Sequence, residues 1–138
     1  VIVDASVLVD ALAGSAERSD AARRALAGVP PGEPLLAPGL VTVEVLAGLR
    51  SCASDASNAF TGDDVPRALD EVADYGIAIE ATPWADVRRA HELSLGSLRY
   101  TDGLYVAAAE RHRTALLTSD ARIGRSGAPV RCAVVTVG

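Results

Sequence analysis

The chain contains no lysine; all thirteen of its basic residues are arginine. That excludes any mechanism built on a side-chain amine, such as a Schiff base, a phosphate-loop lysine or the lysine of a phospho-accepting signalling domain. The same bias fits codon usage in a GC-rich genome, so the absence removes chemistries without assigning one. Aromatics are scarce, with one Trp, one Phe and three Tyr. They offer no visible stacking platform for single-stranded nucleic acid. Tyr100 and Tyr105 are five residues apart and do not share a helical face, which leaves Tyr105 to core packing. The two cysteines, Cys52 and Cys132, have no Cys or His at metal-ligand spacing. Buried free thiols in a reducing compartment are expected, with a disulfide left open. No run approaches the roughly 18 apolar residues needed to cross a membrane. The apolar start is interrupted by Asp4 and Asp10 and has no basic leader, so it does not read as a signal peptide. It also lacks an initiator Met, and a residue or more is expected to be missing from it. A cytoplasmic protein with no membrane partner is the expectation.

What is present suits one α/β domain spanning residues 1–138. The chain is 49% hydrophobic and 22% charged, with a net charge of −5 and a pI of about 4.9. That balance argues against polyanion binding by the whole surface, though not against a local basic track. The organising stretch is Val1-Ile2-Val3-Asp4-Ala5-Ser6. An unbroken apolar run predicts a strand buried on both faces, as in a parallel sheet. Asp4 then stands at its carboxyl end, the edge where open α/β sheets bind ligands. Helices are predicted over 6–12, 16–27 (capped by Ser15 or Ser19), 40–52, about 66–75, 84–95 and from Thr101 or Asp102 to Arg113. Asp64 is a candidate cap for the helix that Pro66 opens. Short strands are predicted over 35–37, 77–81, 115–118 and 130–137, and a polar loop over 51–64. In the helix over 40–52, Val41, Val45, Leu46 and Leu49 form an apolar stripe. Trp84 and His91, seven apart, share a face, and a lone His of this kind reads as structural or solvated. Alternating strands and helices predict a three-layer α/β/α fold around a parallel sheet of about five strands, with right-handed crossovers.

The carboxylates carry the chemistry. Asp120 repeats the arrangement at Asp4: an apolar strand, Ala115–Thr118, stops and a carboxylate appears. Asp102 opens a helix near the same edge. Glu44 joins them only if it projects inward; a solvated carboxylate is the other reading. An oxygen-only set with no Cys or His favours a hard cation, Mg²⁺ or Mn²⁺. One ion polarises a phosphoryl oxygen, and a pair about 3.5–4 Å apart clamps both oxygens of an in-line displacement. Phosphodiester hydrolysis is the reaction class that fits.

Asp4-Ala5-Ser6 after a strand, Glu44 in a helix, the run Arg99-Tyr100-Thr101-Asp102-Gly103-Leu104-Tyr105-Val106-Ala107-Ala108-Ala109-Glu110, and Leu116-Leu117-Thr118-Ser119-Asp120 together resemble a PIN-domain protein. The nearest subgroup is the VapC-type toxin of toxin–antitoxin pairs. The resemblance spans essentially the whole chain in order and spacing. It implies a PIN-like fold and a Mg²⁺- or Mn²⁺-dependent endoribonuclease that stops translation. It also implies a cognate VapB-type antitoxin whose tail lies across the active-site groove, and a homodimer. The family's acids map onto Asp4, Glu44, Asp102 and Asp120, as metal ligands and catalytic groups. Its hydroxyls map onto Ser6 and Thr118, which would hold waters or fix carboxylate rotamers. Simple helix capping is the alternative for Ser6.

An RNA substrate needs cations for its phosphates. Arg99, Arg122 and Arg125 flank the acids and are the candidates, with Arg50 a weaker one. The loop over 51–64 carries Asp55, Asp63 and Asp64, so it suits a basic antitoxin tail better than RNA. Gly103 stands where Ala is more usual and weakens the helix start. A receiver-like domain is excluded by the missing lysine. A haloacid-dehalogenase-type phosphatase would need Asp where Ser6 stands. A non-catalytic PIN-like module that binds RNA or antitoxin is the remaining rival.

Overall fold

The computed structural model describes all 138 residues. Five short strands form one sheet: β1 (Ile2–Val3), β2 (Leu36–Pro38), β3 (Ala78–Glu80), β4 (Leu116–Thr118) and β5 (Val134–Thr136). Their order is β3-β2-β1-β4-β5, and every pairing is parallel. Parallel neighbours require crossovers, and helices supply them. These are α1 (Ala5–Ala13), α2 (Ala16–Ala27), α3 (Leu40–Ser54), α4 (Val65–Ala73), α5 (Trp84–Leu93), α6 (Tyr100–His112) and α7 (Ala121–Arg125). Helices α1 to α4 pack on one another, α5 packs on α6, and the sheet lies between, giving the three-layer α/β/α arrangement.

The central strand explains its own sequence. Ile2 and Val3 are fully buried because β1 has strands on both sides and helices above and below. From β1 the chain winds outward to β2 and β3, then returns to place β4 against β1. Strand order therefore reverses between β1 and β4, and such a switch point opens a crevice beyond the strands' carboxyl ends. The register pairs Val3 with Leu117, and the Asp4 amide donates to the Leu117 carbonyl at 2.9 Å. Asp4 and Asp120 are thus delivered to one crevice by topology.

Several boundaries differ from expectation for identifiable reasons. The last strand is only Val134–Thr136, because the residues before it bond to helices instead: Arg89 takes the Pro129 carbonyl at 2.8 Å and the Arg131 amide donates to Glu110 at 2.8 Å. Asp64 does not cap α4; its carboxylate turns back to the Thr61 amide at 2.8 Å and closes a 3-10 turn over Gly62–Asp64. Helix α6 starts at Tyr100, so Asp102 sits inside its first turn rather than at the cap. In α3, Val41, Val45 and Leu49 are buried but Leu46 is 40% exposed, since it stands one position off that i, i+4 line. The cysteines are free and only partly buried. Gly103 has a packing reason: a Cβ there would stand 3.1 Å from the Ala90 Cα and carbonyl oxygen, so its absence lets α6 approach α5.

Candidate active site

Asp4 follows β1 directly and is 5% exposed. Its Oδ2 accepts from Thr118 Oγ1 at 2.6 Å and from Ser6 Oγ at 2.9 Å. Each hydroxyl has one proton and spends it on Asp4, then accepts a backbone amide from the end of β4. The Ser119 amide donates to Ser6 Oγ, and the Asp120 amide to Thr118 Oγ1, both at 3.0 Å. Ser6 therefore ties β1 to β4 and does not cap α1. Both hydroxyl bonds fall on Asp4 Oδ2. Burial pushes the Asp4 carboxyl above its ordinary range; the two hydroxyl bonds oppose this, and the Asp102 charge adds to it.

The other carboxylates arrive from three more elements. Asp102, 6% exposed, comes from the first turn of α6. Asp120 sits at the start of α7 and accepts the Arg122 amide at 2.9 Å. Glu44 projects inward from α3, half-buried, and Tyr105 Oη donates to its Oε1 at 2.7 Å. The inward reading of Glu44 holds. Burial pushes Glu44 up, the Tyr105 bond lowers it, and the charges of Asp4 and Asp102 raise it again. Asp4, Asp102 and Glu44 are close enough for their charges to act on one another.

No three carboxylates, thiols or imidazoles are gathered closely enough to cage an ion as they stand. Guanidinium groups balance the charge. Arg99 binds Asp102 with Nε at 2.9 Å and reaches Asp120 with Nη2 at 3.4 Å. Arg122 binds Asp120 at 2.7 Å and holds its carboxyl below the usual range. A guanidinium bridging Asp102 and Asp120, buried Asp4 beside them, and a donor set made only of oxygen together fit a hard divalent ion.

Beside the acids runs a groove of about 510 Å³, lined by Ser6, Val9 and Asp10 of α1, Glu44 and Gly48 of α3, and Ser119, Asp120 and Arg122, with Arg18 also on its wall. The arginines expected to face RNA are divided. Arg99 and Arg122 are engaged by carboxylates, while Arg125 and Arg50 are exposed, make no ion pair and do not line this groove. Tyr105, given to core packing by the sequence, is fully buried yet spends its hydroxyl on Glu44. Its signal was the i, i+3 spacing from Asp102, which puts both on one helical face. Asp10 is likewise four residues from Ser6. Arg18 left no trace in sequence, because the break at Gly14 separates it from α1.

Comparison with known proteins bears on the family and the fold. The PIN domain family model matches residues 1–128. Ribonuclease VapC3 of Mycobacterium tuberculosis is 36% identical over 132 residues, covering 91% of this chain and 86% of that protein. Among solved structures, a toxin–antitoxin complex from Klebsiella pneumoniae superimposes with a TM-score of 0.67 at 22% identity, covering 98% of this chain and 95% of its own. VapC20 of Mycobacterium tuberculosis, a sarcin-ricin loop cleaving toxin, gives 0.70 at 14% identity, covering 92% and 95%. VapBC2 from Rickettsia felis, bound to a promoter DNA fragment, gives 0.70 at 12% identity, covering 99% and 98%. The three structures share the fold.

Proposed function

The chain belongs to the PIN-domain family, in its VapC branch, and from that premise we propose how its crevice works as the active site of an endoribonuclease. The protein is an RNA-cleaving toxin neutralised by a VapB-type antitoxin. Asp4, Asp102 and Asp120 are the residues that would hold a divalent ion, Mg²⁺ or Mn²⁺, with Glu44 completing the set. When bound, the ion supplies Lewis-acid polarisation of a phosphoryl oxygen. Everything else falls to the chain. Ser6 and Thr118 lock the Asp4 rotamer through its Oδ2. Tyr105 holds Glu44 at the groove, where its carboxylate orients an attacking water. Arg99 and Arg122, paired with Asp102 and Asp120 beside the groove, are the guanidinium groups that would meet the substrate phosphates. The apolar Val43 and Leu46, exposed on α3, support a homodimer. The reaction belongs in the cytoplasm, where RNA and antitoxin meet the toxin.

The observation that supports this reading is buried Asp4 beside the end of β4, within reach of the charges of Asp102 and Glu44, with Arg99 joining Asp102 to Asp120. The test is RNA cleavage with Mg²⁺ or Mn²⁺ by wild type, Asp4→Asn and Asp102→Asn. Both variants are expected to lose cleavage while keeping their fold. Equal cleavage by all three would remove the nuclease from this crevice, and no cleavage by any would leave a binding module.

A further inference from the structure

We infer that Arg18 is a substrate-phosphate contact, placed at the end of the groove away from the carboxylates, so that the RNA backbone runs along α1. This rests on the ribonuclease reading and extends it to how the substrate is held.

Single-stranded RNA needs guanidinium groups along its path. Seven of the thirteen arginines are in ion pairs: Arg23, Arg67, Arg88, Arg89, Arg99, Arg111 and Arg122. Of the remaining six, Arg18, Arg24, Arg50, Arg113, Arg125 and Arg131, only Arg18 lines the groove that holds Glu44 and Asp120.

Its placement is built rather than incidental. Ser15 Oγ accepts the Arg18 amide at 3.4 Å, and Ser19 Oγ donates to the Ala11 carbonyl at 2.8 Å, which fixes the first turn of α2 against α1. The groove wall is one face of α1, with Ser6, Val9 and Asp10 at i, i+3 and i+4. Opposite, Gly48 keeps α3 close: a Cβ there would come 2.6 Å from a Val9 methyl. From Ser6 to Gly14, where α1 ends, is eight residues, roughly 12 Å of helix. Arg18 therefore reaches a phosphate beyond the one being cut. Asp10 lines the same groove one turn before Gly14, so Arg18 makes its contact against the repulsion of one neighbouring carboxylate.

The test uses Asp4→Asn protein, which does not consume the probe, and a short fluorescently labelled single-stranded RNA read by anisotropy across a salt series. Arg18→Ala in that background is expected to weaken binding several-fold and to lower the slope of log affinity against log salt by about 0.7, the share of one single-strand phosphate contact. Arg24→Ala, on the same helix but off the groove, is expected to change neither. With the wild-type acids, Arg18→Ala should raise KM and leave kcat. Equal binding by Arg18→Ala and its parent, or an equal loss from Arg24→Ala, overturns the Arg18 contact alone. Failure of the parent to bind RNA at all overturns it together with the ribonuclease reading.

Discussion

At the scale of single residues, the bond from Tyr105 to Glu44 shows how a core side chain can serve the site. Tyr105 is buried on every side, and its hydroxyl is among the few polar atoms at that depth, so leaving it unpaired would cost about 1–3 kcal/mol. Glu44 solves that problem and in return is held in one rotamer. Groups that orient a ligating carboxylate typically matter by roughly 10–100-fold in activity or metal affinity. Tyr105→Phe is therefore expected to lose cleavage on that order while shifting the melting temperature little. In a Glu44→Ala background the same substitution should have no further effect on cleavage, measured as a double-mutant cycle. An additive loss would mean that Tyr105 acts through packing alone.

At the scale of elements, charged clamps join α5 to α6 and tie both to the segment before the last strand. Arg89 of α5 grips Glu110 of α6 with Nε at 2.8 Å and Nη2 at 3.1 Å, and the Arg131 amide adds a third bond. Burial would raise the Glu110 carboxyl, but these donors outweigh it and hold it below its ordinary range. A carboxyl lowered in the folded state stabilises fully above its unfolded pKa, and the contribution fades as the pH falls through the folded value. Glu110→Gln is expected to cost roughly 1–3 kcal/mol near neutral pH, the scale of a charged hydrogen bond. Urea melts of the two proteins should converge below the usual carboxylate range. A gap that persists in acid would assign the cost to packing.

At the scale of the whole molecule, the site is where the fold concentrates negative charge and then balances it with its own arginines. A ligand that binds only the folded state raises stability by mass action. Added Mg²⁺ or Mn²⁺ is expected to raise the melting temperature of wild type. A variant with Asp4, Asp102 and Asp120 changed to Asn and Glu44 to Gln should show no such rise. An equal rise in both would put the ion elsewhere.

Some of this was legible in sequence, because local patterns carry it. The apolar run ending at Asp4 specifies a buried strand, and Leu116-Leu117-Thr118 repeats it before Asp120, so the parallel sheet and its two strand-end acids follow from periodicity and abrupt stops. Helix ends blurred where side chains took backbone partners out of sequence order, as at Arg131 and Asp64. Pairings between distant residues had no local signature. Whether Glu44 faced in or out depended on a tyrosine 61 residues away. Whether Ser6 capped a helix or steadied Asp4 depended on an amide from another strand. That Arg99 reaches from Asp102 to Asp120 came only from the meeting of α6 with the end of β4, and that Arg18 lines the groove came only from the packing of α1, α2 and α3. Sequence by itself determined the buried strands and the acids that stand at their ends, since these depend on residue type and periodicity; the tertiary structure alone decided which side chains meet there, since hydrogen bonds and charges act through space.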